Sequence, residues 1–593
     1  MKKKVWSMIL TLALAMSALT GCGGMKESTS EAGDANDYAA YEETTQAAAE
    51  APAEILEESC TTEMAETEMY QQVPAEERPE MGADMKAESS AADHEASEKG
   101  AESYIDGCYD FDYEEINSEE YSKWEEKGFS GVLAEPLSTF SADVDTASYS
   151  NLRRLITEGY DLEDIPGGAV RIEEMLNYFD YGYQGPKGGE PFGVNTYISK
   201  CPWNEDAQLL MIGLQTEEMD YEQAPPSNLV FLLDVSGSMN HADKLPLLQE
   251  AFSLLAENLT EKDRVSIVTY AGEDKVVLRG ASGDETRKIK KAINNLEAGG
   301  GTNGSKGIET AYEIAEEYFI EGGNNRIILA TDGDLNIGLT TEEELEDLIT
   351  EKKESGIFLS VLGFGTGNIK DNKMETLADK GNGNYAYIDG MTEARKVLVE
   401  EMSATLLTIC KDVKLQVEFN PSVVSAYRLI GYENRALSKE DFHDDTKDAG
   451  EIGAGHSVTV LYELILKEPL SSVSEEEIED LKYKENYKEE LEAAGGSENK
   501  AFEEEWLTLS IRYKKPAEDE SNLLQYPIGY ESYSYEPEDD FVFAAAVAEF
   551  GLMASHSSYQ GDASVKGVRS ALKSIELDDE YKEEFYELVM EVK

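Results

Sequence analysis

Apolar residues recur at three- and four-residue spacing through Leu245, Leu248, Phe252, Leu255 and Leu259, and again through Ile308, Ala311, Tyr312, Ala315 and Phe319. That period predicts two amphipathic helices. Between and around them run short apolar segments of strand length: Asn228 to Asp234, Arg264 to Tyr270, Asn325 to Ala330 and Ile357 to Gly363. Strand-like and helical segments alternate, as in βαβ units with a mostly parallel sheet. Outside residues 226–402 the period falls to two, as in Val413-Lys-Leu-Gln-Val-Glu-Phe419 and Trp506-Leu-Thr-Leu-Ser-Ile-Arg-Tyr513. Residues 191–225 and 403–530 therefore read as half-buried antiparallel strands. Strand-like sequence on both sides of the α/β segment predicts a β-sandwich into which that domain is inserted. Helical spacing returns in residues 131–190, with Ile172, Met175, Leu176 and Phe179 on one face, and in residues 531–593, with Phe543, Ala546, Val547 and Phe550. The charged stretch from Ser474 to Lys500 is expected to be a sheet-edge loop.

The chemistry concentrates at one strand end. Asn228-Leu-Val-Phe-Leu-Leu-Asp234-Val-Ser236-Gly-Ser238 delivers a carboxylate and two hydroxyls at spacing two onto the carboxyl end of an apolar strand. Hard divalent cations take oxygen ligands, and Mg²⁺ keeps coordination positions for water or a partner's oxygen. Two later segments supply further oxygens: Gly299-Gly-Gly-Thr302-Asn303 before a helix, and Thr331-Asp332-Gly333-Asp334 after an apolar strand. All three fall where open α/β sheets place their ligand crevice.

In that order these motifs resemble the metal-ion-dependent adhesion site of a von Willebrand factor type A domain, over residues 226–402. The resemblance implies a Rossmann-like parallel sheet flanked by helices. It also implies a bound Mg²⁺, with Mn²⁺ or Ca²⁺ as alternatives, contacted directly by Ser236, Ser238 and Thr302, with Asp234 and Asp332 acting through water. Phe140-Ser-Ala-Asp-Val-Asp-Thr-Ala-Ser-Tyr149, Tyr427-Arg-Leu-Ile-Gly-Tyr-Glu-Asn-Arg435 and Asp448-Ala-Gly-Glu-Ile-Gly-Ala-Gly-His456 widen the likeness. They resemble bacterial envelope proteins that carry a type A domain between an amino-terminal segment and a carboxy-terminal domain of unknown function.

At the amino terminus, Lys2-Lys3-Lys4 precedes an apolar stretch from Val5 to Leu19, too short for a spanning helix and flanked like a secretory signal. Leu19-Thr20-Gly21-Cys22 resembles a bacterial lipobox, which implies cleavage after residue 21 and diacylglyceryl attachment to Cys22. The expected location is the extracytoplasmic face of a membrane, held by the lipid anchor alone. Residues 22–130 are rich in Glu, Ala, Ser and Thr and poor in large aliphatics, so they cannot bury enough apolar surface to order themselves. They read as a disordered tether spanning roughly 55–60 Å as a flexible coil. The formal net charge of −71 opposes both nucleic acid and anionic lipid, which carry the same sign.

Other motifs fall short of their chemistry. Asp143-Val-Asp145-Thr146 matches a phosphatase nucleophile motif, but the preceding Leu137 to Ala142 is half polar and makes a poor apolar strand. Gly299 to Lys306 lacks the Gly-Lys-Ser/Thr of a phosphate loop, and the calcium-loop pattern from Asp332 to Glu343 has Ile337 where a glycine is required. Among the five histidines, His443 and His456 have no Gly-x-Ser-x-Gly elbow nearby, and His241 follows the metal motif as a loop residue. Cys201 and Cys410 flank the inserted domain next to strands; a disulfide at the neck and two buried free thiols are the alternatives.

These features describe a binding protein and not an enzyme. A protein partner would offer a carboxylate to the cation. The alternative is an assembly factor docking onto a larger envelope machine, while a metal-assisted hydrolase would need a general base that the motif lacks.

Overall fold

The computed structural model describes residues 118–592 apart from 143, 220–223, 302–303, 334–341, 403–405, 468–504, 517 and 519. Cys22, the tether up to residue 117, Asp143, Thr302, Asp334 and the charged stretch 474–500 lie outside the described residues, whereas residues 118–130, expected to belong to the disordered tether, are held against the inserted domain by Ser118 and Glu120 amides donating to the Gly367 and Ile369 carbonyls.

Two short strands, β1 (Ser130–Gly131) and β2 (Leu137–Ser141), and two helices, α1 (Ala147–Thr157) and α2 (Ile172–Asn177), precede the long strands β3 (Phe192–Lys200) and β4 (Ala207–Thr216). The inserted domain runs through β5 (Ser227–Asp234), α3 (Leu245–Asn258), β6 (Arg264–Tyr270), β7 (Asp274–Ser282), α4 (Thr286–Asn294) and α5 (Gly304–Glu317). It continues through β8 (Asn324–Thr331), α6 (Glu342–Lys353), β9 (Phe358–Phe364), α7 (Asp371–Lys380), β10 (Tyr385–Ile388) and α8 (Met391–Arg395). Strands then return as β11 (Thr408–Phe419), β12 (Val424–Ile430), β13 (Gly450–Gly453), β14 (Ser457–Leu466), β15 (Glu505–Lys514) and β16 (Asn522–Gly529). The described chain closes on α9 (Asp539–Ala554), α10 (Val565–Leu572) and α11 (Glu580–Glu591).

The sandwich is built from both sides of the insertion. One antiparallel sheet has the order β1-β12-β14-β4-β3, and the other is β13-β11-β15-β16 with β2 alongside β11. Leu210, Ile212 and Leu214 of β4 meet Val413, Leu415 and Val417 of β11 in the core between the sheets. Leu209 and Met211, on the opposite pleat, face a helical layer made of α1, α2, α9, α10 and α11. β4 and β14 are therefore buried on both faces, not half-buried as their alternation suggested, because the two terminal helical regions pack together over the sheet. Helix α9 is apolar around its whole circumference, which suits a helix enclosed by that layer.

The inserted domain has the sheet order β10-β9-β8-β5-β6-β7, parallel except for the edge strand β7. Leu248, Phe252 and Ile289 cover one face, and Ile308, Tyr312, Ile349 and Met374 the other. This is the α/β domain in a β-sandwich that the periodicities indicated. Strands β7 and β10 carry no strong pattern of their own; β7 is a partly exposed edge, and β10 is only four residues long.

Buried arginines fasten the domain to the helical layer. Arg171 reaches Asp371 at 2.6 Å and also pairs with Glu174 and Glu375. Arg153 bonds Asp389 at 2.6 Å, Glu393 at 2.7 Å and Glu584 at 2.8 Å. Asp145 accepts from the Tyr385 amide at 2.8 Å and pairs with Arg435 at 3.1 Å. The phosphatase-like motif thus contributes a structural carboxylate that caps the edge strand β10.

Cys201 and Cys410 are both buried free thiols, so no bridge closes the neck. The sequence places each beside a strand but does not say in which sheet. Cys201 belongs to the helical-layer core, next to Glu463, whereas Cys410 lies in the core between the sheets.

Candidate metal centre

Parallel register brings the candidate ligands together. Asp234 pairs with Tyr270 across β5 and β6, and Leu233 pairs with Ala330 across β5 and β8, so the ends of these strands align and Thr331-Asp332 follows directly beside Asp234. Beyond β5 the chain turns sharply. The Asp234 Oδ1 accepts the Ser236 amide at 2.8 Å, and its Oδ2 accepts the Thr331 hydroxyl at 3.2 Å. The Ser236 and Ser238 hydroxyls then stand 2.9 Å apart. The glycine-rich loop docks on this turn: Gly299 donates to the Val235 carbonyl at 2.8 Å, and Gly237 donates to the Gly300 carbonyl at 3.2 Å. Thr302 follows that loop and lies outside the described residues.

Burial decides the electrostatics. Asp234 and Asp332 are both fully buried. Burial, and then the charge of Asp332, push the Asp234 carboxyl up to about 6. The Tyr270 phenol beside it is driven far above its ordinary range by burial and then by Asp234. Lys244, at the start of α3, places its ammonium 3.1 Å from the Asp332 Oδ2 and 2.8 Å from the Asn368 Oδ1. Among the described residues no group of three or more His, Cys, Asp or Glu side chains is arranged to hold a metal. A cation here must draw on hydroxyl oxygens. The residues present fit a hard divalent ion: two adjacent serine hydroxyls, two buried carboxylates, and more negative charge than Lys244 neutralises.

Lys244, Asn368 and Tyr270 belong to this neighbourhood although no motif marks them. The available signal was faint: a lysine interrupting the start of an apolar helix stripe, and a glycine-rich turn after β9. His241, an exposed loop residue, stands at the edge of this site, where its carbonyl accepts the Lys244 amide at 3.1 Å, whereas His443 and His456 lie elsewhere. His443 is exposed, with its Nδ1 3.4 Å from Arg512. His456 lines a cavity of about 950 Å³ together with Tyr178, Tyr183, Lys396 and Glu401. Burial lowers its pKa.

Residues 228–400 match the von Willebrand factor type A domain family, residues 115–211 the family described as von Willebrand factor, and residues 404–593 the family described as Uncharacterized protein YfbK, C-terminal. Over 478 residues the chain is 40% identical to the Uncharacterized protein YfbK of Escherichia coli (strain K12), covering 79% of this chain and 80% of that one. The chain belongs to the YfbK family. Human Inter-alpha-trypsin inhibitor heavy chain H4 is 30% identical over 148 residues, 24% of this chain and 16% of that protein. The solved von Willebrand factor type A protein from Catenulispora acidiphila is 15% identical, covers 70% of this chain and 98% of its own, and has a TM-score of 0.37, a likeness of fold alone. Von Willebrand factor type A domains bind protein partners, and in this YfbK-family chain such a domain is the part inserted in the sandwich.

Proposed function

We propose that this YfbK-family protein is a lipid-anchored, extracytoplasmic binding protein that captures a partner's carboxylate through a divalent cation held by Asp234, Ser236, Ser238, Thr302 and Asp332. The observation that carries this reading is the convergence of two buried carboxylates and two adjacent hydroxyls at the aligned ends of β5 and β8. When bound, a divalent cation supplies an electrophilic centre with a position open to an outside oxygen. The chain's own residues hold the oxygens in place: the Ser236 amide and the Thr331 hydroxyl fix the Asp234 carboxylate, and Lys244 fixes Asp332. These contacts hold both carboxylates in place around the cation position, an arrangement that supports binding.

Addition of Mg²⁺ or Mn²⁺ is expected to raise the melting temperature of the full chain. A ligand at ten times its dissociation constant contributes about 1.4 kcal/mol by mass action. Asp234→Ala should remove that rise while the protein stays folded. Melting curves that ignore both EDTA and cations would falsify the metal reading.

Anchoring is tested separately. Among the described residues no helix is long and apolar enough to cross a membrane. Cys22→Ala is expected to release the protein from membranes or to stop its maturation. A mature Cys22→Ala protein that still sediments with membranes in detergent-free buffer would exclude the lipid anchor.

A further inference from the structure

Lys244 is built into the site more firmly than an ordinary surface lysine. Its residue is 6% exposed, and its ammonium sits between the Asp332 Oδ2 and the Asn368 Oδ1. The stem crosses Gly365, where an added Cβ would come within 2.3 Å of Lys244 Cγ and 2.4 Å of Cε. Gly365 has φ +76, so this passage needs a residue without a side chain in a left-handed conformation. The loop that carries Asn368 is itself fixed. Ser118 donates to the Gly367 carbonyl at 2.8 Å, the Gly367 amide donates to the Glu119 carboxylate at 2.9 Å, and Glu119 pairs with Arg154 at 3.1 Å. On its other side the loop packs against Gly333, directly after Asp332, where an added Cβ would lie 2.6 Å from the Lys370 nitrogen. The ammonium is therefore held beside Asp332 by the stem's channel, by Asn368 and by the chain behind Asn368.

We infer that Lys244 is a fixed counter-ion that sets the charge of the cation site, and thereby makes a loaded site demand an anionic partner. The inference rests on the proposal that a divalent cation binds here. Its core is a charge count over the described buried residues. Asp234 and Asp332 contribute two negative charges and Lys244 one positive, so the site without a cation is net negative by one, and a divalent cation leaves it net positive by one. Without Lys244 the loaded site would be neutral. In a buried, low-dielectric setting an uncompensated positive charge is costly and attracts an anion. Lys244 should weaken binding of the cation alone and strengthen binding of the carboxylate, whose arrival in turn tightens the cation. Cation and anion then bind with positive coupling, and the coupling is reciprocal. The chemical class selected is a carboxylate-bearing ligand such as an aspartyl or glutamyl side chain, in preference to a neutral amide or hydroxyl.

The test is a Mn²⁺ titration of the full chain followed by the electron paramagnetic resonance of free Mn²⁺, in acetate and in perchlorate at equal ionic strength. In the wild-type chain acetate should tighten Mn²⁺ at least threefold. Lys244→Met should bind Mn²⁺ at least tenfold tighter than wild type in perchlorate, and the acetate effect should vanish. Asn368→Asp returns the site to a net charge of minus two without removing Lys244, so it should also tighten Mn²⁺ and shrink the acetate effect; it serves where Lys244→Met does not fold without a cation. Lys244→Arg should retain the coupling. A Lys244→Met or Asn368→Asp chain that binds Mn²⁺ no tighter than wild type, or that keeps the full acetate effect, overturns this inference while the cation site stands. A wild-type chain that binds no more Mn²⁺ than Asp234→Ala overturns the site and this inference together.

Discussion

Replacing Arg171 by alanine is expected to destabilise the protein by about 3–5 kcal/mol, the range found when one partner of a buried ion pair is removed. Arg171 is 2% exposed, and its guanidinium stands among Glu174, Asp371 and Glu375, all themselves buried. Burial opposes its charge, but the carboxylates, Asp371 foremost, outweigh that and hold it protonated. Without it three acids crowd an uncharged gap, and Glu375, whose pKa burial already raises, loses the nearest charge that opposes the shift. The effect should also reach across the molecule, because Arg171 joins the helical layer to α7 of the inserted domain. Urea unfolding monitored by the buried Trp203 of the helical layer and Trp506 of the sandwich measures it. Arg279→Ala is the control, since Arg279 and Glu317 pair at the surface with side chains about half exposed; there the change should stay within about 1 kcal/mol. A shift for Arg171→Ala no larger than for Arg279→Ala would mean that the cluster contributes nothing net.

Much of the inserted domain is legible in the chain, because its information is local. Asp234, Ser236 and Ser238 lie within five residues, and β5 announces itself as an unbroken apolar run. The helices α3 and α5 show their buried faces through a 3.6-residue period, except that Phe319, at the end of the α5 stripe, lies past the helix and is exposed. What stays hidden has partners far along the chain. Arg171 and Asp371 are separated by 200 positions, and nothing near either marks the pairing. Lys244 meets Asp332 across 88 positions and Asn368 across 124. The alternation in β4 signals a strand, but which layer covers its outer pleat depends on α1 and α2 meeting α9 and α11, helices from opposite ends of the described chain. Cys201 and Cys410 make the same point: adjacency to a strand does not identify the sheet, and these two thiols ended in different cores.

Asp234→Asn should stabilise the cation-free protein at alkaline pH, by up to about 3 kcal/mol, while leaving it nearly unchanged at pH 4. The carboxyl's pKa rises from 3.8 to about 6 in the fold, through burial and then the charge of Asp332. A raised acid pKa means that the folded state holds the proton more tightly than the unfolded chain. Stability is therefore lost as pH rises from about 4 to about 6, and the whole penalty is present above that window. At about 1.4 kcal/mol for each pH unit, the shift corresponds to about 3 kcal/mol. Asparagine cannot ionise, yet its side-chain oxygen can still accept from the Ser236 amide, so the local turn survives. Urea midpoints in EDTA should thus coincide at pH 4 and separate at pH 8, with the Asn variant the more stable. Saturating Mg²⁺ should reverse the order, because the ionised carboxylate that burdens the empty site is what binds the cation. Wild-type and variant curves that run parallel from pH 4 to pH 8 in EDTA would show that Asp234 bears no such penalty. If the order failed to reverse with Mg²⁺, the penalty would be real but its purpose would not be cation binding.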